Sequence, residues 1–464
     1  MTSNRNTIQM GLQRVKNHFD SGLSKDIDYR LEQLQSLKNT IKTYENEIYE
    51  ALYTDLNKSA QETFMTELSI VNEELEYMIS NLKKLAKPKR IIPSLSQLPG
   101  SLKILREPYG SVLIFSTWNY PLQLALVPLI GAIAAGNVVV LKPSEYSPQT
   151  SKVLIKICES AFDKDLVFVV EGGREENTIL LENKFDYIFF TGSTSMGKVV
   201  MKSAAEHLTP LTLELGGKSP CIVDSNTNLR ETAKRIVFGK LINAGQTCVA
   251  PDYIYVKEEI KTALIDELLM VLAQAIPNER YFEETFGKII SEKHYSRLKS
   301  LLEDQKPITV LSESPYYDSE LKIKPVLLDS PDPESDVMKE EIFGPILPII
   351  SWNDKNELIA NLKSKPKPLS MYIFSNDDSF TEEIIRNADS GGVCINDTLL
   401  HMSSLKSPFG GVGPSGMGSY HGKWSFNTFS RERTVLKKWW IFDIPMRHQP
   451  YTDRAFKIIK KLLR

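Results

Sequence analysis

The sequence predicts an α/β protein with doubly wound, mostly parallel sheets, and three observations lead to this fold class. Strand-like and helix-like segments alternate over residues 102–223 and again over residues 216–394. Residues 138–141 (VVVL) form a continuous apolar and β-branched run, which is typical of a strand buried on both faces. Polar and glycine residues follow several strands, at the sheet edge where such proteins bind ligands.

The length and composition are those of a soluble globular protein with two or three domains. The chain has 464 residues, of which 42% are hydrophobic and 25% charged. Its 56 basic and 58 acidic residues nearly cancel, so we expect no nucleic-acid partner. Four widely spaced cysteines predict a reducing, cytoplasmic location without a disulfide framework. No cysteine or histidine cluster has metal-ligand spacing, so we expect no metal site.

The N-terminal region has a simpler pattern. Apolar residues recur at helical spacing up to about residue 87, for example at Leu34, Leu75 and Met78, and predict packing helices without visible chemistry. We find neither a secretory signal pattern nor an apolar run of about 18 residues, so no transmembrane helix is expected. The proline- and serine-rich residues 87–101 then predict a linker or a projecting arm, and another subunit would cover such an arm.

The first alternating region predicts five strands and four helices. The strands are 112–115, 138–141, 166–170, 187–190 and 211–213, and the helices are 121–135, 149–161, 175–181 and 195–206. Further strands near 253–256, 326–328, 346–350 and 370–374 indicate a second α/β domain.

Three polar stretches follow strands of the first region. Residues 191–197 (TGSTSMG) open a helix and suit a phosphate, although an ordinary strand-to-helix turn explains them equally well. Lys142 and Glu145 follow another strand, and a carboxylate there accepts hydrogen bonds from ribose hydroxyls and repels a ribose phosphate. Glu214 ends an apolar strand, where burial would make it a general base; a solvent-facing glutamate explains it equally well.

Cys248 lies in a polar loop, NAGQTCVAPDY, between a helical segment and a strand. A lone cysteine is most often a small buried hydrophobe. Glycine and proline on either side of this one argue against regular structure, so a ligand could reach its thiol. A thiolate nucleophile requires a lowered pKa or a neighbouring base.

Eight motifs, in order along the chain, together resemble the aldehyde dehydrogenase superfamily over nearly the whole length. They are WNYP (118–121), GAIAAGN (131–137), KPSE (142–145), FTGST (190–194), LELGGKSP (213–220), NAGQTCVAPDY (243–253), EEIFGP (340–345) and PFGGVG (408–413). The compact length and the sequence APDY are most similar to the class 3, or fatty-aldehyde, branch. Thr117 stands where many relatives have proline, which affects only loop geometry.

The resemblance implies three structural parts and a homodimer. A Rossmann-like NAD(P)-binding domain would comprise residues 1–86 and 106–213, and a catalytic domain would comprise residues 214–394. An arm at 87–105 and a tail at 395–464 would form an oligomerisation element. The implied reaction is oxidation of a medium- or long-chain aliphatic, or an aromatic, aldehyde to its carboxylic acid, with NAD as cofactor and NADP as the alternative.

The resemblance also implies a role for each of ten residues. Cys248 is the nucleophile that forms a thiohemiacetal and then a thioester, Asn119 joins the Cys248 backbone N–H as an oxyanion hole, and Glu214 is the general base. The implied cofactor contacts are Lys142 and Glu145 at the adenosine ribose, Gly192 and Ser193 at the pyrophosphate with Gly197 at the start of the next helix, Glu341 at the nicotinamide ribose and Phe343 at the ring.

Three alternatives stay open from the sequence. A cysteine hydrolase or acyltransferase would need a histidine base, and only His401 and His421 lie near the motifs. A non-catalytic scaffold is compatible with any fold, but it would be expected to lose Cys248, Asn119 or Glu214. Coenzyme-A-acylating members of the same superfamily are the third, and Glu214 favours water as the acyl acceptor instead.

The tail at residues 439–464 begins WWIFDIP and ends AFKIIKKLLR. Phe456, Ile459 and Leu463 fall on one face of a predicted helix whose other side is basic. We expect this helix to dock on its own subunit or on a partner; the alternative is a peripheral membrane contact. In either case Trp439 and its aromatic neighbours Trp440 and Phe442 would wall the aldehyde entrance.

Overall fold

The N-terminal region is helical, as its apolar spacing predicts. The computed structural model describes residues 5–309 and 314–462. Its first helices are α1 (Arg5–Ser21), α2 (Ile27–Thr43), α3 (Glu45–Leu56), α4 (Ala60–Thr63) and α5 (Ser69–Leu85). A π-helical turn, Phe64–Leu68, joins α4 to α5. The side chains of Leu34, Leu75 and Met78 are buried, so these helices turn an apolar face to the core.

The proline- and serine-rich segment after α5 starts an antiparallel sheet. Strand β1 (Lys89–Ile91) pairs with β2 (Gly100–Pro108), with Lys89 opposite Ile104. A third strand, Ser430–Lys438, pairs along the whole of β2 from the other side. The segment is therefore an arm with regular structure, and not a linker.

Strands and helices then alternate to build the first parallel sheet. In chain order they are β3 (Ser111–Phe115), α6 (Gln123–Ala135), β4 (Val138–Lys142), α7 (Pro148–Ala161), β5 (Val167–Val169), α8 (Arg174–Leu181), β6 (Tyr187–Thr191), α9 (Thr194–Glu206) and β7 (Leu211–Glu214). These strands lie in the order β7-β6-β3-β4-β5, and each is parallel to its neighbours. All residues of β4 and β6 are buried because helices cover both faces of the sheet.

The second half of the chain forms a second sheet. Its elements are β8 (Pro220–Val223), α10 (Leu229–Leu241), β9 (Tyr253–Lys257), α11 (Lys261–Ala275), α12 (Glu279–Thr285), α13 (Glu292–Ser300), β10 (Pro307–Ile308), β11 (Tyr316–Tyr317), β12 (Lys322–Ile323), β13 (Val326–Asp329), α14 (Asp336–Lys339), β14 (Ile346–Trp352), α15 (Lys355–Ser364), β15 (Ser370–Phe374), α16 (Asp378–Asn387) and β16 (Gly392–Ile395). The strand order is β10-β13-β14-β9-β8-β15-β16, and only β10 is antiparallel among the described strands of this sheet. Strands β11 and β12 pair separately.

The C-terminal region returns to the earlier elements. It contains β17 (Gly416–Met417), α17 (Lys423–Thr428), β18 (Ser430–Lys438) and α18 (Asp453–Leu462). Strand β17 adds an antiparallel edge to β7, and β18 completes the arm sheet. Helix α18 confirms the helical pattern of the tail, but Leu463 and Arg464 lie outside the described residues.

The structure confirms the predicted α/β fold with parallel sheets, and the nine predicted strands are all present. The largest boundary difference is at β14, which is predicted at 346–350 and observed at Ile346–Trp352. The predicted helix 121–135 begins two residues later, at Gln123. The arm-sheet strands β2 and β18 have no predicted counterpart, because most of their residues are at least partly exposed and no apolar run marks them. Across residues 5–309 and 314–462, no helix has both the length and the apolar composition needed to cross a membrane.

Candidate active site

Seven of the ten residues predicted for the active site line one cavity of about 230 Å³. We call it the central cavity, and these residues are Asn119, Gly192, Ser193, Glu214, Cys248, Glu341 and Phe343. Four of them follow or end strands β3, β6 and β7, and the other three come from two loops of the second half of the chain. The convergence therefore depends on how the strand ends of the first sheet meet those loops.

The cysteine loop, residues 243–250, is held in an unusual backbone conformation. Asn243 and Ala244 both have a φ of 52°, in the left-handed region that non-glycine residues seldom adopt. Gly245, with a φ of 75°, lies so close to the next loop that an added Cβ would be 2.4 Å from the carbonyl oxygen of Gly344. The cysteine loop is therefore packed directly against the EEIFGP loop, residues 340–345.

Cys248 lies in a tight turn at the end of the cysteine loop. The Ala250 N–H donates to the Thr247 carbonyl oxygen at 2.9 Å and closes this turn. Cys248 is half-buried and lines the central cavity. Burial, reinforced by the negative charges of Glu341 and Glu214, raises its pKa to about 12, and nearby backbone N–H groups oppose this only in part. The thiol is therefore protonated at neutral pH in this state.

Asn119 is buried beside the cysteine loop. Its Nδ2 atom donates to the Gln246 carbonyl oxygen at 3.1 Å, and its Oδ1 atom has no partner among the described residues. A side-chain amide nitrogen carries two hydrogens, so a second N–H remains for an oxygen in the cavity. Asn119 is therefore a fixed hydrogen-bond donor that lines the same cavity as Cys248.

Glu214 is the last residue of β7 and is buried, so the solvent-facing interpretation of this residue is wrong. Its backbone is fixed because its carbonyl oxygen accepts from the Gly192 N–H at 3.0 Å. Neither carboxyl oxygen has a partner within the described part of the chain. Burial raises the pKa of Glu214 well above its ordinary value. A carboxylate in this environment is a stronger base than an exposed one.

Glu341 and Phe343 come from the EEIFGP loop. Burial, together with the charge of Asp252, raises the pKa of Glu341 to about 8. The carboxyl group packs against Gly216, where an added Cβ would lie 2.4 Å from its oxygens, so a larger residue there would displace the carboxyl group. Phe343 has a φ of 55°, and its ring meets Trp118 edge-to-face with a centroid distance of 5.4 Å.

Gly192 and Ser193 precede helix α9, whose first turn carries free backbone N–H groups. Ser193 is the N-cap residue, and its Oγ accepts from the Met196 N–H at 3.4 Å. Gly197 lies one turn further along and does not line the central cavity. An added Cβ at Gly197 would be 2.8 Å from Leu215 Cδ2, so this glycine lets the helix pack on residue 215.

Lys142 and Glu145 do not reach the central cavity. Glu145 lines a second cavity of about 180 Å³, the outer cavity, together with Glu171 and Gly172. Lys142 is buried, and its Nζ donates to the Pro143 carbonyl oxygen at 2.8 Å and lies 4.0 Å from the Glu145 carboxylate. Burial lowers the pKa of Lys142, which the charge of Glu145 partly opposes.

The two cavities provide the groups that a dinucleotide requires. The free N–H groups of α9 suit a pyrophosphate. The Oε1 atom of Glu341 has no partner among the described residues, and the half-exposed Glu145 carboxylate offers a second acceptor for ribose hydroxyls. These residues fit an NAD(P) molecule. In the described ranges, no three His, Cys, Asp or Glu side chains are grouped as metal ligands would be.

The structure also reveals residues that the sequence analysis missed. His294 lines the central cavity, where its ring packs against Trp118 at 5.0 Å and its Nδ1 lies 2.8 Å from Ser291 Oγ. Tyr420 and Phe409, both from the glycine-rich C-terminal region, line it as well. Phe409 lies in the motif PFGGVG, which is a signal that could have located it, whereas no motif marks His294 or Tyr420.

His401 and His421, the histidines considered for a hydrolase, do not line the central cavity; His421 is buried and His401 is half-buried. Nδ1 of His421 lies 3.0 Å from the Met402 carbonyl oxygen, and Nε2 of His401 lies 2.9 Å from Ser370 Oγ. Burial lowers the pKa of each histidine to about 4. Both are neutral structural histidines at neutral pH.

Comparisons with known proteins agree with this geometry. The family described as "Aldehyde dehydrogenase family" matches residues 3–435. The chain is 44% identical to the 4,4'-diaponeurosporen-aldehyde dehydrogenase of Staphylococcus aureus, covering 98% of this chain and 99% of that protein. It is 42% identical to the rat aldehyde dehydrogenase family 3 member A2, covering 93% of this chain and 88% of the relative.

A solved structure shows the same fold. The substrate-bound state of a Staphylococcus aureus AldH superposes with a TM-score of 0.95 at 43% identity, covering 98% of this chain and 99% of that one. An NAD+ complex of a Bacillus cereus aldehyde dehydrogenase, at 24% identity and a TM-score of 0.84, covers 94% of this chain and 89% of that one and shares the fold.

The motifs, the cavity they form and these similarities lead to one conclusion. The chain belongs to the class 3 branch of the aldehyde dehydrogenase family, whose members are enzymes that oxidise aldehydes with NAD(P).

Proposed function

We propose that the enzyme oxidises its aldehyde with Cys248 as nucleophile, Asn119 as oxyanion donor and Glu214 as general base. One observation supports this most directly. Cys248, the Asn119 amide and the unpaired Glu214 carboxyl group line one cavity.

The first half of the reaction requires a tetrahedral adduct, because an aldehyde carbonyl does not readily release hydride. The Cys248 thiol first loses its proton to solvent, and the resulting thiolate attacks the carbonyl carbon to form a thiohemiacetal whose oxygen becomes an alkoxide. The second N–H of Asn119 and the backbone N–H of Cys248 stabilise this oxygen, and one such donor contributes about 3 kcal/mol. Bound NAD(P) supplies the hydride acceptor, which no side chain can provide.

The second half of the reaction requires water. Loss of hydride leaves a thioester on Cys248, and Glu214 accepts a proton from the water that attacks it. The carboxyl group has no other partner among the described residues, so it is free to bind that water. The products are the carboxylic acid and the free thiol.

We propose NAD as the preferred cofactor, with its adenosine ribose at the outer cavity and its nicotinamide ribose at Glu341. The carboxylates of Glu145 and Glu171 both line the outer cavity. A ribose 2′-hydroxyl can donate to Glu145, whereas a 2′-phosphate would meet two negative charges there. Lys142 offsets this repulsion only in part, because its Nζ is already bonded to Pro143.

We also propose a homodimer, with the domain boundaries 1–86 and 106–213, 214–394, and 87–105 with 395–464. The arm and the tail are adjacent, because the Trp439 N–H donates to the Pro99 carbonyl oxygen at 3.0 Å. Both expose large apolar side chains. Ile92, Trp440 and Ile441 are almost entirely exposed in the single chain. Such a patch is typical of a protein interface. A peripheral membrane contact of α18 is the alternative, since its four basic residues flank Phe456 and Ile458.

The exposed aromatic side chains of the tail also suggest a class of substrate. We propose medium- or long-chain aliphatic or aromatic aldehydes, whose apolar tails would be covered by the aromatic residues at 439–442. The relative from Staphylococcus aureus is named as a 4,4'-diaponeurosporen-aldehyde dehydrogenase, so an aldehyde is also the substrate in its name.

Replacing the nucleophile should abolish the chemistry and spare cofactor binding. We expect Cys248→Ala to lose all aldehyde oxidation and esterase activity, whereas NAD binding, followed by calorimetry, stays within twofold. Cys394→Ala, at a half-buried cysteine on β16, is the matched control and should stay active. An active Cys248→Ala enzyme would refute the mechanism.

The pH dependence of alkylation tests the raised pKa of the thiol. In the free enzyme, iodoacetamide should alkylate Cys248 about tenfold faster per pH unit from 7 to 9, because the thiol pKa of about 12 lies above that range.

Replacing the base should separate the two half-reactions. Glu214→Gln should give a burst of NADH at 340 nm of one equivalent per active site, followed by a steady state at least a hundredfold slower than wild type. The slow phase reflects thioester hydrolysis without its base. Glu206→Gln, at the exposed end of α9, should behave as wild type. An unchanged steady-state rate in Glu214→Gln would rule out the assignment.

Cofactor preference should depend on Glu145. We expect the wild-type enzyme to have a higher kcat/KM with NAD than with NADP, and Glu145→Gln to lower that ratio about tenfold by removing one repulsive charge. Glu159→Gln, at an exposed position of α7, is the control and should leave the ratio unchanged. A wild-type enzyme that binds NADP more tightly than NAD would contradict the proposal.

Removing the tail should flatten the dependence on chain length. In the full chain, kcat/KM should rise about fourfold per added methylene until the apolar surface is covered, since each buried methylene contributes about 0.8 kcal/mol. A chain ending at Lys438 keeps β18 but loses Trp439, Trp440 and Phe442, and its kcat/KM should show no such rise. A profile that truncation leaves unchanged would contradict the proposed role of the tail in substrate selection.

The oligomeric state is tested by light scattering, which should give a dimer of 52.6 kDa chains. A monomer at micromolar concentration would contradict the proposed homodimer.

A further inference from the structure

Three charged side chains from the N-terminal helical region contact the backbone of the active-site segments without lining the central cavity. We call Lys58, Glu62 and Glu67 the Lys58 cluster. Lys58 and Glu67 are fully buried and form an ion pair of 2.7 Å. Burying two charges costs several kcal/mol per ion unless further hydrogen bonds satisfy them, so the remaining contacts of the pair indicate what it does.

Lys58 contacts the predicted oxyanion residue directly. Its Nζ donates to the carbonyl oxygen of Asn119 at 2.8 Å, and the Nδ2 of Asn243 donates to the same oxygen at 2.8 Å. The ammonium also lies 4.0 Å from the ring centre of Tyr120. The backbone of Asn119 is therefore held by two donors, one of them charged.

Glu67 holds the other end of the same segment. Its second carboxylate oxygen accepts from the N–H groups of Leu122 and Gln123, at 2.9 and 3.1 Å, where α6 begins. Glu67 belongs to the π-helical turn Phe64–Leu68, and such turns occur frequently at functional sites. The ion pair thus fixes residues 119–123 at both ends.

Glu62 extends the cluster to the cysteine loop. Its Oε1 atom accepts from the N–H of Asn243 at 2.7 Å, at the first left-handed residue of that loop. On the other side, the hydroxyl groups of Tyr120 and Thr247 lie 2.6 Å apart, one residue from Cys248. The cluster therefore contacts the segment that carries the oxyanion donor and the loop that carries the thiol.

We infer that Lys58 is a positioning residue for aldehyde oxidation, which sets the Asn119 amide relative to Cys248, that Glu67 holds it in place, and that Glu62 fixes the start of the cysteine loop. The inference rests on the proposed oxyanion role of Asn119. A donor stabilises an alkoxide only when it is aimed within a few tenths of an ångström, so a shift of the Asn119 backbone lowers kcat. Lys58 itself touches neither substrate nor cofactor.

A double-mutant cycle tests the inference. We expect Lys58→Met to lower kcat about tenfold in the wild-type background and less than twofold in the Asn119→Ala background, because the lysine acts through the asparagine. The KM for NAD should change less than twofold in Lys58→Met, since the α9 start and Glu341 are not part of the cluster. A purely structural role would lower kcat by the same factor in both backgrounds.

A matched control separates positioning from stability. Lys322 is equally buried and pairs with Glu320 at 2.9 Å, away from the central cavity, so Lys322→Met should keep the wild-type kcat even if it unfolds at a lower temperature. Should Lys58→Met fail to fold, Glu67→Gln carries the same test with a kcat loss of about threefold that disappears in Asn119→Ala. An unchanged kcat, or equal losses in both backgrounds, overturns the inference alone. A fully active Asn119→Ala enzyme overturns the oxyanion role as well.

Discussion

The desolvation of a few polar groups in the central cavity is the constraint on which the active site depends. Both carboxyl oxygens of Glu214, one of Glu341 and the Oδ1 atom of Asn119 lack partners among the described residues. Each such buried group costs about 1–3 kcal/mol. The same burial raises the pKa of Glu214 and Glu341 and of the Cys248 thiol, so the groups that are costly to fold are also the reactive ones.

A site of this kind persists only if its surroundings fix it, and the described contacts do so redundantly. The Asn119 carbonyl oxygen accepts from two buried donors. The left-handed backbone at Asn243 and Ala244 is held where the cysteine loop packs on Gly344. The EEIFGP loop is fixed by Asp252, whose Oδ1 accepts from the Ile342 N–H at 2.9 Å. Strain and unpaired polarity at the centre are thus offset by several hydrogen bonds to the backbone of the segments that carry these residues.

The reactive groups lie at the centre of the site and the groups that fix them lie outside it, and this arrangement explains which parts of the site the sequence could predict. The parallel strands are apolar runs bounded by glycine or polar residues, so their positions follow from local pattern, and the seven predicted residues of the central cavity sit in motifs a few residues long. Lys58 is different, because its partner Asn119 is 61 residues away and nothing within the helical segment marks it. The outer cavity shows a related limit: Lys142 and Glu145 share a motif with a predicted role, but only the fold shows that the Lys142 ammonium bonds to Pro143 and points into neither cavity.

The Lys58–Glu67 pair also cannot be explained by stability alone. Replacing a buried ion pair by apolar side chains of similar volume is often neutral or stabilising, so such a pair is weak support for a stabilising role. Apolar side chains at these positions would fill the same space but could not donate to the Asn119 carbonyl oxygen or accept from the N–H groups that open α6. The charged groups add directed hydrogen bonds that orient Asn119, the residue proposed to face the developing alkoxide. The N-terminal helices, which the sequence presents only as packing elements, therefore also form the outer support of the active site.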